Sequence, residues 1–315
     1  MAPTADQETM GFMPYERPPE LSRCEAFRLL LWNPEKKAVL GRTWQSWGGI
    51  VFFYLCFYAG LAALFAICLQ GLRYTLDDNV PKWQQDDGLI GNNPGMGFRP
   101  IAEDVENAGS MIVYDAANNE TIASWTNRID EFLSPYEVKY DNQVVCDFNM
   151  SAPAGKVCEV KLSTFGNCVH ENDYGFRNSA PCFFVKLNKI IGWTPKPYES
   201  SAECPDSMPD DLKKHIDSLP AEERKVIWVS CEGENPADKE NIGELQYWPY
   251  QGFAAYYYPY MNTDNYVSPL VAVQLKRPVR NVLINIECRA WAHNIRYSKQ
   301  KNEREGSVHL EVMVD

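Results

Sequence analysis

Between Arg42 and Arg73 the chain carries no charged side chain, and Gly48–Leu72 is apolar almost throughout. Those 25 residues make about 37 Å of α-helix, more than the roughly 20 residues that a bilayer core requires. A cleavable leader would have a shorter apolar core ending at small residues. A buried core helix would carry a polar face. This stretch offers only Tyr54, Tyr58 and Gln70 as polar interruptions. It reads as a single transmembrane helix.

Lys and Arg near the span set its orientation. Arg28, Lys36, Lys37 and Arg42 precede it, whereas Arg73 and Lys82 follow it among Asp77, Asp78, Asp86 and Asp87. The N-terminal side is predicted to be cytosolic and the 243 residues from 73 to 315 to lie outside, a type II topology. Residues 1–46 are charge-neutral, so the net charge of −12 belongs to the outer part. An acidic exterior without a basic stripe excludes a nucleic-acid partner and reads as a solvated surface.

Of ten cysteines, Cys24 precedes the span and Cys56 and Cys68 lie in it. Cys146, Cys158, Cys168, Cys182, Cys204, Cys231 and Cys288 lie beyond it, on the oxidising side, where disulfides persist. No Cys-x-x-Cys pair occurs, and His170, His215, His293 and His309 lack ligand spacing, so a metal site is not expected. An odd count leaves one thiol over, and the spacing alone leaves the pairing open. Asn119 (Asn-Glu-Thr) and Asn149 (Asn-Met-Ser) are candidate glycan acceptors on that side.

Residues 1–26 are polar, with Pro14, Pro18 and Pro19. Trp44 and Trp47 suit a headgroup interface. Residues 74–107, rich in Pro, Gly, Asn and Asp, read as extended. Ile122, Trp125, Ile129 and Leu133 recur at helical spacing, which predicts a helix over 121–133. From about residue 182 a period of two takes over. Val271/Val273/Leu275, Ile284/Ile286/Cys288 and Leu310/Val312/Val314 each alternate with more polar neighbours. Further strands are predicted in 183–191, 225–231 and 244–248, and a helix over 210–219 between Pro209 and Pro220.

The expected architecture is a single-span type II membrane protein with a disulfide-stapled, mainly-β ectodomain. That ectodomain is read as an immunoglobulin-like sandwich with one or two helices. Residues 1–46 form a cytosolic tail with a juxtamembrane element, 47–72 the transmembrane helix, 73–107 an extracellular stalk and 108–315 the sandwich. An ectoenzyme would need a site. The chain has no Asp-x-Asp, no Gly-x-Ser-x-Gly, no phosphate-binding Gly-rich loop and no His-Glu-x-x-His. No catalytic residue and no cofactor are assigned.

Trp32-Asn33, then Leu40-Gly41-Arg42-Thr43 and Trp47, closely resembles the membrane-proximal signature of Na+/K+-ATPase β subunits. Leu30 stands where that signature has an aromatic or Met. The segments 53–58, 256–260 (Tyr-Tyr-Tyr-Pro-Tyr), 269–274, 288–291 and 294–298 are similar to further family segments. The resemblance covers roughly 27–315 and is strongest to the insect branch. It implies three sequential disulfides, Cys146–Cys158, Cys168–Cys182 and Cys231–Cys288, and leaves Cys204 unpaired. It also implies a non-catalytic subunit that escorts a P-type ATPase catalytic α subunit to the plasma membrane and modulates its K+/Na+ transport, without an Asp-Lys-Thr-Gly motif of its own.

Tyr54, Phe57, Tyr58 and Leu61 fall on one helix face. The resemblance points them at the seventh transmembrane helix of the α subunit; alternatively the stripe faces lipid. Tyr257, Tyr258, Pro259 and Tyr260 are the matching outer contact, with sandwich core as the alternative. A small third regulatory subunit is a further implied partner. An H+/K+-type pump, or an adhesion ectodomain acting without a pump, are the rival functions.

Overall fold

The computed structural model describes residues 22–34, 37–89, 91–103, 109–298 and 304–315. Residues 1–21, with Pro14, Pro18 and Pro19, lie outside the described residues, as do Lys36 and the 107/108 boundary. Two compact units result, one ending at Leu76 and one beginning at Asp77.

The first unit opens with helix α1 (Arg23–Leu31). The Ser22 hydroxyl accepts from the Glu25 amide while the Glu25 carboxylate accepts from the Ser22 amide, a reciprocal cap. Three two-residue strands follow, β1 (Trp32–Asn33), β2 (Ala38–Val39) and β3 (Arg42–Thr43), paired antiparallel in that order. The family-like signature is therefore a miniature sheet. Gly41 turns β2 into β3 at φ +77°, where a side chain would be strained. The Trp47 indole donates to the Val39 carbonyl at 2.9 Å and ties the sheet to the next helix. That helix, α2 (Trp44–Tyr74), has 31 residues, about 46 Å, and none of them is buried within the chain. It ends where the Thr75 hydroxyl donates to the Leu72 carbonyl at 2.8 Å.

The second unit holds two sheets. The first contains β4 (Met96–Arg99), β8 (Cys182–Leu187), β10 (Leu245–Trp248) and β12 (Val271–Leu275), in the order β10-β12-β8-β4, all antiparallel. The second contains β5 (Met111–Tyr114), β9 (Val226–Gly233), β11 (Gly252–Ala254), β13 (Ile284–Trp291) and β14 (Ser307–Val314), in the order β11-β9-β13-β14-β5. Only the β14–β5 pairing in it is parallel. A small parallel pair, β6 (Gln143–Val144) and β7 (Val157–Cys158), stands apart. Inward residues of both large sheets, such as Val185, Val273, Ile286 and Val312, share one core.

Both faces of β8 are buried. Phe184 turns away from the second sheet to meet Phe132, Phe165 and Tyr174. Phe132 belongs to helix α3 (Asn119–Glu137), whose buried stripe is Ile122, Trp125, Ile129 and Leu133. On the second sheet, Trp228 and Trp291 are capped by Leu212 and Ile216 of α4 (Asp210–Ser218). Helix α5 (Pro236–Asn241) is clamped to β13 by the buried Asp238 carboxylate, which accepts from the Asn285 amide at 3.1 Å.

Three disulfides close the unit: Cys146–Cys158, Cys168–Cys182 and Cys231–Cys288. The last joins directly opposed residues of β9 and β13. Two readings need correction. The extended stalk over 73–107 ends early, because Met96 and Phe98 are buried on β4 as an edge of the first sheet. Gly95, Gly97 and Pro100 around them hide the alternation. Helix α2 also begins at Trp44 and ends at Tyr74, beyond the 47–72 expected.

Candidate partner interface

On α2 the residues Phe53, Tyr54, Phe57 and Tyr58 form a ring quartet. Phe53 stacks on Phe57 (6.3 Å between centroids) and Tyr54 on Tyr58 (6.1 Å), while Phe53/Tyr54 and Phe57/Tyr58 meet edge to face. The i, i+4 spacing builds the stacks and the i, i+1 pairs knit them. All four rings remain more than half exposed. Sequence reasoning named Tyr54, Phe57 and Tyr58 and missed Phe53, whose spacing to Phe57 was the available signal. Ala59, Gly60, Ala62, Ala63 and Ala66 add small side chains that allow close helix approach.

The outer aromatic segment behaves differently. Tyr257 is half-buried and its hydroxyl donates to the Glu159 carbonyl at 3.2 Å. Tyr258 packs edge-on against buried Trp193, 5.6 Å between centroids. Burial pushes the Tyr257 phenol up to about 12 and that of Tyr258 well above the ordinary value. Both residues are partly buried and pack against the sandwich core while keeping some exposed surface. Pro259 is exposed. Tyr260 meets Tyr266 in a tilted pair (4.8 Å between centroids), and the Lys189 ammonium lies 5.1 Å from each ring. Burial lowers the Lys189 pKa.

Lys189 and Tyr260 also face a cavity of about 700 Å³, whose walls include Pro81, Trp83, Leu89 and Ile191. Trp83 and Leu89 are exposed. No periodic pattern marks this site; Trp83, within a Pro- and Asp-rich stretch, is its one visible sign.

The glycan acceptors occupy different settings. Asn119 begins α3, and its carboxamide oxygen accepts from Arg177 at 3.2 Å. Asn149 sits at the tip of a two-residue turn closed by reciprocal Asp147–Met150 backbone bonds. Both are exposed. Cys204 is a free, partly exposed thiol 3.3 Å from the Ser200 carbonyl, and burial raises its pKa. Among the described residues no group of three His, Cys, Asp or Glu is placed to hold a metal ion.

A membrane-length helix with an exposed ring stripe, joined to a disulfide-closed β-sandwich, is the architecture of a single-span membrane protein. Residues 17–310 match the family described as the sodium/potassium ATPase beta chain. The chain is 44% identical to the sodium/potassium-transporting ATPase subunit beta-2 of Drosophila melanogaster, over 99% of this chain and 100% of that one. It is 43% identical to the subunit beta-1 of the same organism, over 94% and 95% of the two chains. A probable subunit beta-3 of Caenorhabditis briggsae is 34% identical, over 92% and 87%. The chain belongs to the sodium/potassium ATPase beta chain family.

Proposed function

We propose that this protein is the non-catalytic β subunit of a Na+/K+-transporting ATPase. It assembles with the catalytic α subunit, stabilises it, carries it to the plasma membrane and modulates its K+/Na+ transport. The chain lies type II in the membrane, C-terminus outside, in keeping with the Lys/Arg imbalance across the span. Lipid surrounds the rest of α2, and a small third regulatory subunit is a compatible further partner. Asn119 and Asn149 carry N-glycans.

The observation that carries this reading is the ring quartet on a helix with no residue buried in its own chain. Large rings gathered on one face, beside the small residues Ala59, Gly60, Ala62 and Ala63, offer a surface that a second helix can pack against. In lipid such a helix is bound by close packing. Tyr54, Phe57 and Tyr58 contact the α subunit there, and Pro259 and Tyr260 contact it outside; Tyr257 and Tyr258 support that outer segment from behind. Any effect on K+ affinity requires that these contacts differ between pump conformations.

Affinity purification of the tagged full chain from native membranes tests this. A stoichiometric P-type ATPase catalytic subunit, identified by peptide sequencing, is the expected companion. Recovery of the chain alone, with homotypic ectodomain binding, would instead favour adhesion.

A further inference from the structure

A second cavity, of about 340 Å³, is lined in part by the tyrosine segment. One wall is residues 151–158 of the Cys146–Cys158 loop, and the other includes Tyr256, Tyr257, Pro259, Thr263 and Tyr266. The lining combines aromatic faces with hydroxyls, the pairing that suits a sugar ring, whose C–H faces are apolar and whose edges are polar.

The acceptor Asn149 sits beside this cavity. Ser151, the third residue of its triplet, lines the wall. Phe148, the residue before it, meets both Tyr256 (5.4 Å) and Tyr250 (5.3 Å) edge to face. Asp147 fixes the turn by accepting from the Asn149 amide at 2.8 Å, which leaves the Asn149 side chain exposed at the tip. Val145 and Met150 beside it are more than half exposed, an apolar rim that a glycan would shield.

We propose that the N-glycan on Asn149 folds back onto the chain, its first N-acetylglucosamine seated in the Tyr256–Tyr266 cavity. The glycan then acts as a wall of the ectodomain and closes the Cys146–Cys158 loop over the tyrosines. Asn119, which starts an exposed helix turn, lines neither this cavity nor the one beside Lys189 and serves as the comparison site. The inference rests on the proposal that Asn149 is glycosylated.

The test uses the full chain, co-expressed with a Na+/K+-ATPase α subunit in cells held to high-mannose glycans. Site occupancy is read by mass spectrometry. Release by an endoglycosidase that cuts between the two core N-acetylglucosamines is then timed at each site, natively and after denaturation. The seat predicts native release at Asn149 at least tenfold slower than at Asn119, with the difference abolished by denaturation. Thr263→Trp, which fills the cavity, and Phe148→Ser, which removes a neighbouring ring, should each restore fast release; either variant that still co-purifies with the α subunit suffices. An unmodified Asn149 would overturn both the glycosylation reading and the seat. An occupied Asn149 released as fast as Asn119 would overturn the seat alone.

Discussion

Two aromatic runs in this protein look alike on paper and end up in opposite circumstances. Phe53, Tyr54, Phe57 and Tyr58 touch one another along α2 and stay exposed. Tyr257 and Tyr258 are partly buried against an existing core, with Trp193 and the Glu159 carbonyl as partners, and Tyr256 meets Phe148. The ectodomain has two sheets and three disulfides to absorb rings; among the described residues none buries a ring of α2. An exposed ring therefore carries more information on α2 than on the sandwich. Substitutions in the two regions should separate into effects on ectodomain stability and effects on assembly.

The largest effect on stability is expected from Cys231→Ser combined with Cys288→Ser. Their loop spans 57 residues, and chain entropy alone assigns the bond about 4 kcal/mol, against about 3 kcal/mol for the shorter Cys146–Cys158 loop. Denaturant unfolding of the purified chain should rank the two double variants in that order. Tyr258→Ala comes next, at about 2–4 kcal/mol, because it opens a gap beside Trp193. A melt unchanged by Tyr258→Ala would move that residue back to the interface and blur the contrast.

Asn118→Ala should cost about 1 kcal/mol, since the Asn118 side chain accepts from the Glu120 amide at 2.9 Å and caps α3. The smallest effect concerns pH. His170 Nδ1 lies 3.0 Å from both Asp130 oxygens, and that hydrogen bond, with the carboxylate's charge, raises the His170 pKa. A raised pKa means that folding favours the protonated ring. The contribution is fully present below the unfolded value near 6.5 and fades as pH rises through the folded one. His170 is largely exposed, so the slope is shallow. His170→Gln should flatten it in urea midpoints measured between pH 6 and 8.

Much of the architecture was legible. The uncharged run from 43 to 72 marked the span, and the alternation in 271–275, 284–288 and 308–314 marked three central strands, because each turns its apolar set into the shared core. The stripe from Ile122 to Leu133 marked α3, which runs four residues further, to Glu137. What stayed hidden was short or flanked by turn formers. β4 carries Gly97 and abuts Pro100, and β5 joins the sheet parallel to β14, a pairing set by distant chain. Helix α5 has six residues, too few for a period to show. The inward fate of Tyr257 and Tyr258 depended on Trp193 and Glu159, which periodicity cannot place beside them.

The most direct test of the account uses Tyr54→Leu combined with Tyr58→Leu in the tagged full chain. Leucine keeps the helix apolar and membrane-inserted while dismantling the stacked rings. Recovery of the catalytic α subunit in detergent should fall, while the ectodomain's unfolding midpoint stays at the wild-type value. Undiminished recovery would contradict the claim that the stripe grips the pump.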